Sequence, residues 1–196
     1  MKTAIFLILD EYADWEGSYL ASQLNQSSNW CVSTASIKPQ VTSIGGFKTN
    51  VDYLLTEIPQ KIDLLVLIGG NSWSISNKEL RELIVKQLNM QQPVAAICGA
   101  VDFLAQNGLL RNYKHTGNSQ YLWQNYSEYT NQGDFIKKQA VIDNNLVTAN
   151  GTATLEFTKL VLKLVNFLPE VEIDKALALH ELGFYKYCAT YGNPYQ

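Results

Sequence analysis

A chain of 196 residues, 46% hydrophobic and 17% charged, is long enough to bury a sizeable core, and its composition excludes a disordered or fibrous chain. With a net charge of -3 and its 15 lysines and arginines scattered, it offers no basic stripe to a phosphate backbone, so nucleic acid is not an expected partner. No apolar run reaches membrane-spanning length, and the three cysteines, Cys31, Cys98 and Cys188, stand at unrelated spacings that form neither a disulfide framework nor a metal site.

The first ten residues open like a signal peptide but break off into Asp10, Glu11 and Asp14 without a small-residue cleavage site. Residues 3–9 are therefore read as a first strand buried on both faces, and a reducing cytoplasm as the expected home. Residues 14–24 have a helical period through Tyr19, Leu20 and Leu24, which places Glu16 in the first turn of a helix at the carboxyl end of that strand. A second strand is expected over 31–37, and a small hairpin joins 41–43 to 47–50 around Gly45-Gly46. The clearest strand covers 63–70 and ends in Gly69-Gly70, a pair that permits close backbone approach. Asn77 is placed to cap a helix over 78–89 with an apolar stripe of Leu80, Leu83, Ile84 and Leu88.

The stretch from Pro93 to Leu104 runs an apolar strand into Cys98 and then directly into a helix ending at Gly108. Small neighbours, Ala96, Gly99 and Ala100, leave room for a sharp elbow that lifts the cysteine clear of the sheet. At a helix N-terminus, free N–H groups and the helix dipole favour thiolate, which makes Cys98 a candidate nucleophile; the plainer reading is a small core residue.

Past Gly108 the sequence is polar and aromatic, and a short strand near His115 and a helix over 118–126 are expected. A hairpin pairs 140–143 with 146–149, an apolar-faced helix covers 154–167, and a last amphipathic helix covers 170–188. Strands and helices alternate without a linker, which argues for a single doubly wound α/β domain over 1–196, with 170–196 as a C-terminal helical extension.

In such a sheet Glu16, Gly69-Gly70 and Cys98 meet at the carboxyl edge of the strands. N–H groups of Gly70, Asn71 and Gly99 are then candidates for an oxyanion hole, and a shielded Glu16 beside the sulfur would have a raised pKa and tune the thiol. The alternative for Glu16 is an acidic residue that simply answers the helix dipole. His115 follows the elbow closely enough to be considered as a partner for the cysteine, with a structural role as its equal alternative. His180, Cys31 and Cys188 are read as structural.

Taken together, Trp15-Glu16, Leu67-Ile68-Gly69-Gly70, Ala96-Ile97-Cys98-Gly99-Ala100, Gly108-Leu109-Leu110 with His115-Thr116, and the run from Leu146 to Ala153 with Glu156-Phe157 resemble the PfpI/DJ-one superfamily, within the class I glutamine amidotransferase-like fold. The resemblance spans nearly the whole chain and points to the intracellular protease/amidase branch. It implies a flavodoxin-like three-layer α/β sandwich, an elbow cysteine at Cys98 hydrogen-bonded to the carboxyl of Glu16, and commonly a homodimer. Neither a cofactor nor a metal is expected.

Three departures narrow the chemistry. The peptidase branch follows its cysteine with histidine where this chain has Gly99, and a downstream histidine of many members falls at Asn118. The His-x-Glu pair of true amidotransferases is missing around Thr154-Leu155-Glu156-Phe157. The expectation is a cysteine hydrolase or amidase acting on a small carbonyl or amide, with glyoxalase or deglycase chemistry as the nearest variant, and with Asn118 and Trp15 as pocket candidates. The alternative is a redox-responsive or chaperone-like stress protein with an oxidisable Cys98.

Overall fold

Segments too apolar to face water on either side form the middle layer of the structure, a computed structural model that describes residues 1–196. In chain order the elements are β1 (Lys2–Leu7), α1 (Asp14–Asn25), β2 (Trp30–Ser36), β3 (Gln40–Thr42), β4 (Lys48–Asn50), β5 (Tyr53–Leu54), β6 (Leu64–Leu67) and α2 (Lys78–Asn89). They continue with β7 (Val94–Ile97), α3 (Gly99–Gln106), β8 (Ala140–Asp143), β9 (Leu146–Ala149), α4 (Thr154–Leu164), α5 (Glu170–Leu182) and α6 (Phe184–Tyr191). Seven strands form one sheet in the order β5-β2-β1-β6-β7-β9-β8, parallel except for β8 against β9, while β3 and β4 make a separate antiparallel ribbon.

Strand alternation sends side chains to two separate cores. Ala4, Phe6, Ile8, Leu64, Val66 and Ile68 meet Leu20 and Leu24 of α1 and Phe157 and Val161 of α4. Ile5, Leu7, Leu65 and Leu67 meet Leu80 and Ile84 of α2 and Val101, Phe103 and Leu104 of α3 on the other face. The result is a flavodoxin-like three-layer α/β sandwich. Helix α5 lies on α4, with Ile173 and Leu177 buried, each worth roughly 1.5–3 kcal/mol, and Lys163 reaches Glu170 at 3.0 Å and Asp174 at 3.1 Å.

From β1 the chain crosses to β2 on one side and returns to β6 on the other, so the crevice outside the carboxyl ends of β1 and β6 is a topological switch point. Glu16 follows β1, Gly69 follows β6 and Cys98 follows β7, and the topology thereby brings them together.

Three expectations are corrected. His115 makes only an isolated bridge to Phe135, and the expected helix over 118–126 shrinks to one 3-10 turn, Gln120–Trp123. The buried Trp123 anchors that segment through its indole N–H to Asp102 at 2.6 Å, and Tyr121 and Leu122 are left exposed, so a longer helix would have no apolar face to bury. The long C-terminal helix breaks at Gly183, whose φ of 75° leaves the helical region and separates α5 from α6. Edge strand β5, only two residues long, has no sequence pattern to announce it.

Candidate functional site

Cys98 occupies the turn between β7 and α3 with φ 59° and ψ -127°, a conformation that costs a non-glycine residue of order 1–3 kcal/mol. The elbow is held from both sides: Cys98 N–H donates to the Ala149 carbonyl at 2.9 Å, and Ala100 and Val101 at the start of α3 are fully buried. A Cβ on Gly99 would stand 2.6 Å from the Gly70 carbonyl oxygen, so only glycine fits after the cysteine, and its N–H is turned toward the sulfur.

Glu16 in the first turn of α1 is 1% exposed. Its Oε2 accepts from Gly69 N–H at 2.8 Å, while Oε1 has no partner of ordinary hydrogen-bond geometry and lies beside the Cys98 thiol. The crowding is visible from the glycines around it. A Cβ on Gly69 would be 2.5 Å from both Cys98 Cβ and Glu16 Oε2, and one on Gly151 would be 2.9 Å from Sγ and 3.0 Å from Oε1.

Burial pushes the Glu16 carboxyl up to about 7, against the opposing pull of its contacts with the Cys98 thiol and Gly69 N–H. The Cys98 thiol is also pushed up, first by burial, and further by the Glu16 charge, with Asn118 and Gly99 N–H working the other way. The helix-dipole expectation of a ready thiolate is thus reversed: desolvation and the adjacent carboxylate outweigh the start of α3. Two acids in contact cannot both ionise cheaply, so a charged Glu16 carboxyl holds the proton on the Cys98 thiol.

Asn118 completes the contacts of the sulfur. Its Nδ2 donates to Cys98 Sγ at 3.2 Å and its Oδ1 accepts from Gly151 N–H at 2.8 Å, so it orients the thiol but has no basic site to take the proton. His115 does not reach the cysteine. It is fully buried, with Nδ1 donating to the Tyr113 carbonyl at 2.8 Å and Nε2 meeting the Tyr129 hydroxyl at 2.8 Å, and its ring packs near Trp123 and Phe135. Burial lowers its pKa and keeps it neutral.

Asn71 is likewise removed from the oxyanion donors, because its N–H is taken by the Glu11 carbonyl at 3.1 Å. Gly70, at φ 143° against the chain at Tyr12, keeps its N–H free of any protein acceptor. Trp15 is 50% exposed and does not line the cavity at Asn118. Gly151 is the site residue that the sequence reading passed over, although its position just beyond the carboxyl end of β9 marks the same sheet edge. No group of three His, Cys, Asp or Glu side chains is placed to hold a metal ion, and no helix is long and apolar enough to cross a membrane.

A strained cysteine elbow on this sheet, backed by a buried carboxyl, is matched by a family model: that of the DJ-1/PfpI family aligns with residues 2–164. The chain belongs to the DJ-1/PfpI family. This DJ-1/PfpI protein is 55% identical, over 195 residues, to a Bacillus subtilis (strain 168) protein described as "Uncharacterized protease YdeA", covering 100% of this chain and 99% of that one. Among solved structures, the thiJ/pfpI family protein from Bacillus anthracis superposes with a TM-score of 0.87 at 31% identity, covering 95% of this chain and 94% of that chain. The DJ-1 superfamily protein Atu0886 from Agrobacterium tumefaciens gives 0.83 at 29% identity, covering 93% and 100%. The family match stops where α4 ends, so α5 and α6 lie beyond it, whereas the alignment with YdeA takes in this extension of the DJ-1/PfpI domain.

Proposed function

We propose that this DJ-1/PfpI protein is a cysteine-dependent hydrolase or amidase in which Cys98 attacks a small carbonyl or amide carbon and Glu16 handles the proton. The observation that carries the reading is the Glu16 Oε1 beside the Cys98 sulfur, without another partner and on a carboxyl that ionises near 7. A group titrating there can accept the thiol proton and return it within one cycle. The relative described as a protease supports the hydrolytic side of the reading. Glyoxalase or deglycase chemistry is the variant in which the acceptor carbon is an aldehyde or ketone.

In this scheme the proton passes from Sγ to Glu16 as the sulfur bonds to the carbonyl carbon, and the carbonyl π pair moves onto oxygen. In this reading the N–H groups of Gly70 and Gly99, both at the sheet edge, donate to that oxyanion as it forms. For an amide, the carbon–nitrogen bond then breaks with Glu16 returning its proton to the leaving amine, and water attacks the resulting thioester to release the acid and free thiol. Asn118 fixes the sulfur's direction throughout. With no histidine in reach of Sγ, Glu16 is the only side chain beside the sulfur able to take up the proton.

Cys98→Ala should abolish turnover across a panel of amide, aldehyde and dicarbonyl substrates while near- and far-UV circular dichroism stay as in the native protein. Native-like turnover in that variant would overturn the reading.

The unpartnered Oε1 also favours a second reading, redox response. There the thiolate takes one oxygen from each of two peroxide molecules, which leave as water, and the resulting sulfinate accepts a hydrogen bond from protonated Glu16. Mass spectrometry after mild peroxide separates the readings: selective gain of two oxygens on Cys98, with no substrate turned over, supports the second. A cytoplasmic location and assembly as a homodimer accompany the proposal; all three cysteines are free, which suits a reducing compartment, and sedimentation measures the assembly.

A further inference from the structure

Asn118, whose amide holds the Cys98 sulfur, also lines an open cavity of about 590 Å³. Its walls come from residues 116–121, from Phe135 and residues 137–139, and from Asn150, one residue before the Gly151 that crowds the sulfur. Lys137 and Lys138 both line it. Neither makes an ion pair, although other lysines of the chain do. No acidic side chain lines the cavity, in a protein whose net charge is -3. Ser119 and Gln139 add polar groups, and only two of the lining residues are hydrophobic. An apolar ligand would gain little here, whereas an anion would meet two ammonium groups with no carboxylate competing for them.

We infer that this cavity receives the anionic part of the molecule on which Cys98 acts: a carboxylate or phosphate on a small carbonyl compound or amide. The inference rests on the nucleophile reading for its substrate, but the anion site itself is measurable without turnover. Once Glu16 or Cys98 ionises, its negative charge repels an approaching anion, and the two lysines offset that repulsion from the side on which Asn118 stands.

Alkylation of Cys98 reads this directly. Iodoacetate and iodoacetamide both form a carbon–sulfur bond with loss of iodide, and differ in that the first is an anion. At low ionic strength, Lys137→Gln with Lys138→Gln should slow iodoacetate roughly fivefold and leave iodoacetamide unchanged, and Lys137→Glu with Lys138→Glu should slow it further. Both side chains are exposed, so the fold should tolerate either change. Oxalate and inorganic phosphate, at matched ionic strength, should protect the native thiol from iodoacetate, the stronger protector naming carboxylate or phosphate as the group. A ratio of the two rates that is the same in native protein and both variants, with no protection by either anion, would overturn the inference. The two proposals fail separately. A lysine-dependent ratio in a protein that turns over nothing leaves the anion site standing without the hydrolase. Cys98-dependent turnover with a lysine-independent ratio does the reverse.

Discussion

Replacing Glu16 with glutamine should make the protein more stable at alkaline pH, by an amount that follows from where the carboxyl sits. In water such a carboxyl ionises near 4.5, and in the folded chain near 7, so folding disfavours its charged form by about 3.4 kcal/mol at about 1.4 kcal/mol per pH unit. Between those values the folded chain holds a proton that the unfolded chain has released. Stability therefore falls as pH rises from 4.5 through 7, and levels off above. Glutamine keeps an oxygen for Gly69 N–H, presents an amide N–H to the sulfur and carries no charge to desolvate.

Glu16→Gln should match the native protein near pH 4.5 and exceed it by about 2–3 kcal/mol at pH 8, the thiol's share of the pair's proton trimming the full value. For a chain of 196 residues that is roughly 4–12 °C in Tm. Urea unfolding of both proteins across pH 4.5–8 measures it, and other titrating groups, Asp102 and His115 among them, are common to both and cancel in the difference. A gap between the two proteins that does not change with pH would refute the account of Glu16 as a desolvated carboxyl.

Two further outcomes follow from the same geometry. Gly151→Ala puts a methyl group 2.9 Å from Sγ and 3.0 Å from Glu16 Oε1, so iodoacetamide alkylation of Cys98 should slow at least about tenfold in a protein that still folds; an unchanged rate would refute the packing described. His115→Ala should lower stability by about 2–4 kcal/mol in urea unfolding, through the lost ring and a Tyr129 O–H left without its acceptor, although Gln120 still donates to that oxygen. The folded fraction should keep native Cys98 alkylation, and a large change in that rate would restore His115 to the site.

Much of the layered sheet could be read from residue types alone. A strand such as Leu64–Leu67, apolar on both faces, has only the interior to go to, and the alternation of such strands with amphipathic helices leaves few architectures open. The same holds for Cys98 between Ala96 and Gly99-Ala100, where small neighbours and an immediate helix imply the elbow, and for Glu16, whose place at the end of β1 follows from the helix period. These are local or periodic properties, carried by a few residues each.

What surrounds the sulfur was a tertiary matter. His115 and Asn118 are three residues apart in an irregular segment without period, and the buried Trp123–Asp102 bond and the Tyr129 hydroxyl decide that the histidine turns into the core while the asparagine turns to Cys98. Asn71 loses its N–H to Glu11 only because the Gly70 turn lays two distant stretches side by side. The charge state at the elbow was settled in the same way. A helix N-terminus favours thiolate in any chain, but here the burial of Cys98 and the carboxyl of Glu16, brought from 82 residues away by the switch in strand order, set the opposite direction.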